Sequence, residues 1–458
     1  MLLTENNADA SGAAIPIFAV TAAGLAAFLA RADDTTRNWL NGIGFAAAPH
    51  SFSVVPDATG KIASVVTGVK SASDIFALSH LPFALPLGSY RLSDAAAPDH
   101  YANALSWLLG TYQFSRYKAS PKPAATLLMA QSSETTRAQR MFDAIALTRD
   151  LVNTPTEDMG PQHLAQVGQN LAAEFGAIFR EVVGDDLLTE NFPAIHAVGR
   201  ASHRPPRLIE LVWGDPSHPR IAIVGKGVCF DTGGLNIKGA DGMRQMKKDM
   251  GGAAHALALA RLIMQAKLPV SLQMLVPAVE NAISGNAYRP GEIVSTRAGL
   301  KIEIGNTDAE GRVVLSDALA FAAESKPALI IDFATLTGAA RVALGPELPA
   351  TFANDDQWFA ALNAASHAAQ DPIWRMPLWQ PYHDMIKSGI GDIVNTGGPQ
   401  AGAVTAALFL ERFIPEGQAW IHIDTFSWNL KARAGRPDGG EAQSLRACFE
   451  MLESRFLK

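Results

Sequence analysis

The sequence predicts an α/β protein built on a β-sheet with helices on both faces. Three features support this prediction: a length of 458 residues, a hydrophobic content of 48%, and a regular alternation of strand and helix patterns beyond residue 206. Short apolar runs alternate with longer segments of helical periodicity, which is typical of a sheet covered by helices. The predicted strands cover 207–213, 221–224, 271–276, 300–304, 328–332 and 420–424, and the predicted helices cover 252–267, 312–325, 356–369 and 402–413.

The chain is predicted to divide into two unequal domains. Residues 1–130 are expected to form a smaller N-terminal α/β domain, residues 131–150 a connecting helix, and residues 151–458 the larger domain. Ser132 or Ser133 suits the N-cap of the connecting helix. The predicted elements of the first domain are strands at 53–55, 62–66 and 125–130 and helices at 22–32 and 101–114.

Composition and charge exclude several classes of protein. A net charge of −6 disfavours a general affinity for nucleic acid. Two cysteines cannot form a disulfide framework, which favours a reducing compartment. The N-terminus lacks a basic stretch followed by an apolar core, and no apolar run approaches the ~18 residues of a membrane span. We therefore expect a cytoplasmic protein that does not associate with membranes.

The segment Asn306–Arg312 carries the strongest chemical signal. Its sequence, Asn-Thr-Asp-Ala-Glu-Gly-Arg, places Asp308 and Glu310 two residues apart, with Arg312 two residues later. On an extended backbone both carboxylates would leave on the same side. They would then repel each other unless one took up a proton or a cation lay between them. A divalent metal would resolve the conflict. The alternative is a turn followed by a helix cap.

A second group of polar residues follows a predicted buried strand, Ile221–Val224. The glycine-rich segment Gly225–Gly234 carries Lys226 and Asp231, and loops at strand ends of α/β sheets commonly bind ligands. A phosphate-binding loop would need Gly-x-x-x-x-Gly-Lys followed by Ser or Thr, but here Gly227 follows the lysine. A dinucleotide pattern fails as well, since Phe230 occupies the position of the third glycine.

Several segments, in order along the chain, resemble the leucyl aminopeptidases, a family of two-metal cytosol peptidases. The resemblance extends from roughly residue 145 to the C-terminus, and the heptapeptide Asn306–Arg312 is specific by itself. The matching segments are Asp150–Pro155, Val224–Gly234, Met246–Ala254, Glu280–Gly291, Asn306–Arg312 and Asp332–Gly338.

The resemblance implies a C-terminal catalytic domain with a mixed β-sheet flanked by helices on both faces, preceded by the smaller N-terminal α/β domain. It implies two divalent metal ions per subunit, Zn or Mn, with Mg as a further candidate. Carboxylates and an amine form a hard site that suits these ions. One metal would be bound by Lys226, Asp231, Asp249 and Glu310, and the other by Asp231, Asp308 and Glu310.

The implied reaction is the release of N-terminal amino acids, preferably leucine-like, by a water that bridges the two metals. Lys238 is implied to stabilise the oxyanion, and Arg312 to hold a bicarbonate that relays a proton. Lys226 can ligate only as a neutral amine, so its pKa would have to be strongly depressed by the metal and by desolvation. The implied pocket for the N-terminal side chain contains Met246, Ala309, Thr335, Leu336 and Gly338.

Rival site chemistries have weaker support. The chain contains no His-Glu-x-x-His motif, so a thermolysin-like zinc site is not indicated. His255 is interpreted as a residue on a helix face, and Cys229 as a small core thiol. Lys247 and Lys248, which precede Asp249, are interpreted as a basic helix start.

Partners are predicted mainly from the resemblance. It implies peptide substrates and a homo-oligomer, a hexamer of two stacked trimers. The alternative function is that of a DNA-binding regulator, as in some relatives, with peptidase activity secondary. That function would need a basic stripe on the N-terminal domain. The basic residues of that domain cluster only at Arg116, Lys118 and Lys122, which is more simply a solvated loop. Binding of nucleic acid is therefore not expected.

Overall fold

The computed structural model describes residues 2–5, 14–93, 99–118 and 122–457, and it contains two compact units. One unit is Met1–Ala146 with Lys431–Asp438, and the other is Leu147–Leu430 with Gly439–Lys458. The chain passes from one unit to the other within a helix, Ser133–Asn153, that overlaps the predicted connector. The domain boundaries at 130 and 150 stay predictions. Within the described ranges, no helix is both long and apolar enough to cross a membrane.

The first unit contains a mixed sheet of six strands in the order β1-β6-β5-β2-β4-β3, in which only β3 and β4 pair antiparallel. Asp33 and Asp99 cap the second and third helices by accepting the backbone N–H of Thr36 and Ala102. The elements are β1 Leu2–Glu5, β2 Ile15–Val20, α1 Leu25–Arg31, α2 Asp34–Gly42, β3 Phe52–Pro56, β4 Ile62–Gly68, β5 Ser89–Leu92, α3 His100–Thr111, β6 Thr126–Ala130 and α4 Ser133–Asn153.

The second unit contains most of the helices and strands. Two 3₁₀ helices, Met246–Met250 and Gln380–Ile386, complete it. Its other elements are α5 Pro161–Phe175, β7 Ile178–Val183, α6 Asp186–Thr189, α7 Pro193–Gly199, β8 Arg207–Trp213, β9 Arg220–Gly225, β10 Gly227–Asp231, α8 Ala240–Met243, α9 Gly251–Ala266, β11 Ser271–Asn281, β12 Ile293–Ser295, β13 Lys301–Glu303, α10 Glu310–Glu324, β14 Leu329–Ala334, α11 Gly338–Leu344, β15 Ala350–Ala353, α12 Asp356–Ala368, β16 Trp374–Arg375, β17 Ile393–Val394, α13 Gly402–Glu411, β18 Trp420–Asp424, β19 Trp428–Asn429, β20 Gly439–Gly440 and α14 Leu445–Phe456.

The main sheet of this unit is mixed, as the resemblance implied. Its strands follow the order β16-β15-β18-β14-β9-β11-β8-β7, and β10 pairs with β11 beyond the end of β9. The central strands β18, β14, β9 and β11 are parallel, while β8, β7 and β15 introduce antiparallel pairs. The predicted strand at 300–304 is real but lies in a separate small sheet with β12 and β17.

Helices cover both faces of the main sheet, which confirms the predicted fold class. On strand β9, Ala222 and Val224 pack in one cluster with residues of α7, α10 and α13. Gly225 instead lies against Gly252 and Ala253 of α9. Because successive residues of a strand face opposite sides of the sheet, α9 and α10 cover opposite faces.

Helix α9 approaches the sheet closely enough to require glycine at its second residue. A Cβ on Gly252 would lie 2.1 Å from the carbonyl oxygen of Phe333 in β14 and 2.7 Å from the backbone nitrogen of Lys226. Both neighbours are backbone atoms held in the sheet, so they cannot rotate away. The absence of a side chain at Gly252 therefore allows α9 to lie this close to the ends of the strands.

We predict that Gly252→Ala destabilises the fold, because the new methyl group must displace backbone. Overpacking of this kind costs about 1–3 kcal/mol, which corresponds to a melting temperature lower by roughly 2–5 °C for a unit of this size. The matched control is Gly389→Ala, since a Cβ at Gly389 would meet no atom within 4 Å. Thermal denaturation of both variants checks the prediction, and equal melting temperatures would contradict it.

Candidate metal centre

The predicted site residues line one cleft of about 880 Å³ in the second unit. The cleft lies where parallel strands of the main sheet end: Asp231 is the last residue of β10, Thr335 follows β14, and Asp424 is the last residue of β18. Carboxyl ends of parallel strands meet at one edge, which is where ligands bind in open α/β sheets.

Lys226 occupies the interruption between β9 and β10. Its backbone N–H donates to the carbonyl of Phe333 at 2.9 Å, and its own carbonyl accepts the N–H of Ala253 at 2.8 Å. The residue is therefore tied both to the neighbouring strand β14 and to the start of α9. Its side chain is 3% exposed, so the ammonium is held inside the cleft wall.

The ammonium of Lys226 lies between two buried carboxylates. Its Nζ is 2.7 Å from Asp249 Oδ2 and 2.9 Å from Glu310 Oε1, and it donates to the carbonyl of Thr335 at 2.9 Å. Burial opposes the charged form, but the carboxylates outweigh it and raise the pKa of Lys226 well above its usual value. The depressed pKa expected for Lys226 as a ligand would thus have to come from a bound cation, because the surrounding carboxylates raise it.

Lys238 joins the other two carboxylates. Its Nζ lies 2.9 Å from Asp231 Oδ2 and 2.5 Å from Asp308 Oδ1. Desolvation again works against the charge, and the attraction of Asp231 and Glu310 prevails, so the pKa of Lys238 is raised. The Lys238 side chain is 17% exposed and remains open to the cleft.

The backbone around Asp308 is a turn, which was one of the two alternatives that the sequence left open. Residues 307 and 308 form a turn, and Glu310 is the first residue of α10. The alternative backbone, a turn followed by a helix start, is therefore correct, yet the two carboxylates still converge. One oxygen each from Asp231, Asp308 and Glu310 lie within 4.8 Å of one another.

This group of carboxylates suits divalent cations. Burial and repulsion by Asp231 raise the pKa values of both Asp308 and Glu310. Among the described residues, the buried Oε2 of Glu310 has no hydrogen-bond partner. Oxygen atoms that converge, repel one another and lack donors are what a hard cation would satisfy. The pKa of Asp249, by contrast, is lowered, because Lys226 and Lys248 outweigh its desolvation.

Arg312 lies on the first turn of α10, beside the carboxylates. One of its guanidinium nitrogens donates to the carbonyl of Asn395 at 2.8 Å, and its buried Nε has no hydrogen-bond partner in the described part of the chain. Burial lowers the pKa of Arg312 to about 10, although Glu310 and Asp424 oppose the shift. A guanidinium N–H that has no acceptor among the described residues and lies beside the cleft is compatible with the predicted binding of bicarbonate by Arg312.

The residues predicted for the side-chain pocket also line the cleft, and Thr335 has a second role. Its hydroxyl donates to Asp249 Oδ1 at 2.8 Å, which orients that carboxylate. The other pocket residues are Met246, Ala309, Leu336 and Gly338. His255 lies on α9, donates from Nδ1 to the carbonyl of Gly251 and accepts the N–H of Gln443. Cys229 is fully buried, and burial raises its pKa.

Lys248 lies at a helix start, as interpreted, but its side chain is buried. Only 6% of Lys248 is exposed, and the residue lines the cleft from the 3₁₀ helix before α9. Its Nζ lies 5.1 Å from the centre of the Phe426 ring and 4.0 Å from Asp249 Oδ1. Burial lowers the pKa of Lys248 to about 8, partly offset by Asp249.

Three further residues hold the site and were not predicted. Asn281 at the end of β11 donates to Asp231 Oδ1 at 2.8 Å and to the carbonyl of Thr307 at 3.0 Å. Asn395 accepts the N–H of Gly305 and donates to the carbonyl of Asn306. Asp424 accepts three donors from the segment that follows β14. Asn281 lies in a matching segment, but Asn395 belongs to no motif.

The sequence matches two family descriptions: "Cytosol aminopeptidase family, catalytic domain" over residues 146–449 and "M17 aminopeptidase, N-terminal domain" over residues 15–130. The chain belongs to the cytosol aminopeptidase family. Probable cytosol aminopeptidases of Syntrophotalea carbinolica and Roseiflexus castenholzii are each 41% identical to it. The alignments cover 76% of this chain and 73% of the first relative, and 75% of this chain and 74% of the second.

Solved structures agree with this membership. The cytosol aminopeptidase from Coxiella burnetii is 48% identical, with a TM-score of 0.95 over 99% of both chains. The bottromycin maturation enzyme BotP in complex with Mn is 30% identical, with a TM-score of 0.88 over 97% of this chain and 100% of BotP. The family that the sequence segments resemble is thereby confirmed, and the alternative function of a DNA-binding regulator is not favoured. Arg116, Lys118 and Lys122 are described, and the residues between the last two, 119–121, lie outside the described residues.

Proposed function

We propose that this member of the cytosol aminopeptidase family uses two divalent cations to remove N-terminal residues from peptides. The observation that carries the proposal is the convergence of Asp231, Asp308 and Glu310 within 4.8 Å. Membership of an aminopeptidase family supports the reaction class. The fit of hard oxygen ligands supports Zn or Mn, with Mg as a further candidate.

The cations would be held by residues from four separate segments of the chain. Lys226 comes from the break between β9 and β10, Asp231 from the end of β10, Asp249 from the 3₁₀ helix, and Asp308 and Glu310 from the turn before α10 and the first residue of that helix. When bound, the two cations supply Lewis acidity that polarises the scissile carbonyl and lowers the pKa of the attacking water. The hydrogen bonds from Asn281 and Thr335 orient Asp231 and Asp249 before any cation arrives.

Lys238 and Arg312 are proposed as the catalytic pair that does not ligate. The raised pKa of Lys238 keeps its ammonium charged at neutral pH, so it can stabilise negative charge on the reacting carbonyl oxygen. Arg312 offers its unpartnered Nε to a small anion, proposed as bicarbonate, that accepts the proton of the attacking water. Both side chains line the cleft, and Lys238 is the more exposed of the two.

The proposed substrates are peptides with a free N-terminal amine. The apolar side chains of Met246 and Leu336 support the predicted preference for leucine-like N-terminal residues. Lys248 and Arg341 also line the cleft, and their charge would favour a substrate that carries a carboxylate. The division into a domain of residues 1–130, a connecting helix of 131–150 and a catalytic domain of 151–458 is also proposed, as is a cytoplasmic location.

We predict that chelation abolishes hydrolysis of leucine p-nitroanilide and that Mn or Zn restores it, because the carboxylates alone cannot activate water. The N-acetylated substrate should not be cleaved, since the proposed site receives a free amine. Steady-state rates on the stripped and reloaded protein check both expectations. Full turnover of the acetylated substrate, or undiminished activity after complete metal removal, would refute the proposal.

The proposed division into ligands and catalytic groups predicts two different defects. Asp249→Ala should lose one cation more readily than its neighbour. Lys238→Ala should retain both cations but turn over on the order of 10²–10³-fold more slowly, as when an oxyanion donor is removed. Elemental analysis and kcat separate the two effects. Metal loss in Lys238→Ala together with a full complement in Asp249→Ala would reverse the assignment.

We further propose that the active form is a homo-oligomer, a hexamer, on the ground of family membership. Closed symmetry is the default for soluble oligomers, and two stacked trimers satisfy it. Light scattering on the active protein should give a mass near six times that of the 48.6 kDa chain. An active monomer at the same concentration would exclude the assembly.

A further inference from the structure

Two basic side chains of the cleft make no hydrogen bond to a carboxylate within the described residues. The Nζ of Lys248 is nearest to Asp249 Oδ1, at 4.0 Å, which is beyond hydrogen-bond distance. The guanidinium of Arg341 lies over the ring of Phe426, whose centre is 4.8 Å away. Lys248 is buried and Arg341 is exposed, so one cation lies within the cleft wall and the other at its surface.

The neighbouring acids are already engaged. Asp249 accepts the hydroxyl of Thr335 with Oδ1, and its Oδ2 lies against the ammonium of Lys226. Asp424 accepts the backbone N–H groups of Leu336 and Thr337 and the hydroxyl of Thr337. Lys248 reaches Asp249 only as a long ion pair of 4.0 Å, and it makes no hydrogen bond to either carboxylate in the described part of the chain. A buried ammonium without a hydrogen-bond acceptor is unfavourable, and a long ion pair and contact with a ring offset this only in part.

Both cations border the region proposed for the substrate's N-terminal side chain. Lys248 shares the 3₁₀ helix with Met246, and Arg341 follows Gly338 by three residues on α11. Residues three apart on a helix lie on the same side. Both cations also contact the ring of Phe426, at 5.1 Å and 4.8 Å. The pocket is thus apolar along part of its wall and positively charged next to it.

We propose that this pocket binds a carboxylate, so that peptides beginning with an acidic residue, glutamate above all, are cleaved in preference to their neutral counterparts. The inference rests on the proposed aminopeptidase function and revises its predicted preference for leucine. Lys248 donates to the side-chain carboxylate, and Arg341 adds positive charge at the surface. Met246 and Leu336 suit the methylene groups of glutamate.

The test compares glutamate, glutamine and leucine p-nitroanilides on the metal-loaded, full-length protein. Glutamine is the neutral isostere of glutamate, so the ratio of their kcat/KM values reports the carboxylate alone. We expect a ratio of about 10 to 100 in favour of glutamate, the size of a hydrogen bond to a charged group. Lys248→Met should reduce the ratio to near one, Lys248→Arg should retain most of it, and Arg341→Met should lower it less.

The matched control is Lys247→Met. Lys247 adjoins Lys248 in sequence, but its Nζ donates to the carbonyl of Asn153 at 2.6 Å, and it does not line the cleft. This variant should keep the wild-type ratio. Calorimetric titration with free glutamate and glutamine supplies a readout independent of turnover, and Lys248→Met should lose the preference for glutamate there as well.

Several outcomes would overturn the inference. A wild-type ratio at or below one would do so, as would a ratio unchanged by Lys248→Met. If Lys248→Met fails to fold, the wild-type ratio and Arg341→Met decide. The dipeptide Leu-Leu and its C-terminal amide form a second pair of substrates. If Lys248→Met changes the kcat/KM ratio of this pair but not the ratio of glutamate to glutamine, Lys248 binds the C-terminal carboxylate of the peptide and not its N-terminal side chain. If no aminoacyl substrate is cleaved, the proposed function itself fails, which the binding measurement distinguishes from loss of the side-chain preference.

Discussion

The mutual repulsion of buried carboxylates at one edge of the main sheet is the constraint on which the site depends. Asp231, Asp249 and Glu310 are buried, Asp308 lies beside them and is partly exposed, and burial alone would favour the protonated form of some of them. Lys226 neutralises one pair and Lys238 the other. The two ammonium groups leave Glu310 Oε2 without a hydrogen-bond donor in the described part of the chain, and a divalent cation would satisfy that oxygen.

Holding like charges together requires a backbone that cannot relax. The chain meets this requirement by tying each segment of the site to a strand or helix. Lys226 is bonded through its backbone to Phe333 and Ala253, and Asn281 links the side chain of Asp231 to the backbone of Thr307. The close approach of α9, which only a glycine at 252 permits, brings the helix start against the same strand ends. Rigidity before binding keeps the ligands from turning away from one another.

The sequence predicted the alternation of elements and the residues that line the cleft, because both leave local signals. The runs at 221–224 and 420–424 are apolar strands, and Lys226, Asp231 and Glu310 stand in recognisable segments. The backbone around Asp308 was left open between two alternatives, since spacing alone cannot tell a turn that leads into α10 from an extended strand. The contribution of Asn395 could not be predicted, as it depends on a contact across about ninety positions of the chain. The burial of Lys248 could not be predicted either, because lysine residues are rarely buried and a lysine next to Asp249 is expected to be exposed to solvent.

The chemistry and the substrate preference of this site rest on different parts of the fold. The proposed ligands are fixed by backbone bonds and by partners such as Asn281, so replacing one disturbs its neighbours. Lys248 and Arg341 instead enter the cleft from helical turns and, within the described residues, make no hydrogen bond to a proposed ligand. Lys248 nevertheless adjoins Asp249, and its charge helps to lower the pKa of that carboxyl. The charge of the pocket wall and the charge balance of the proposed metal site are therefore coupled at Lys248, whereas Arg341, on α11, is the position where the pocket wall can change with the proposed ligands left in place.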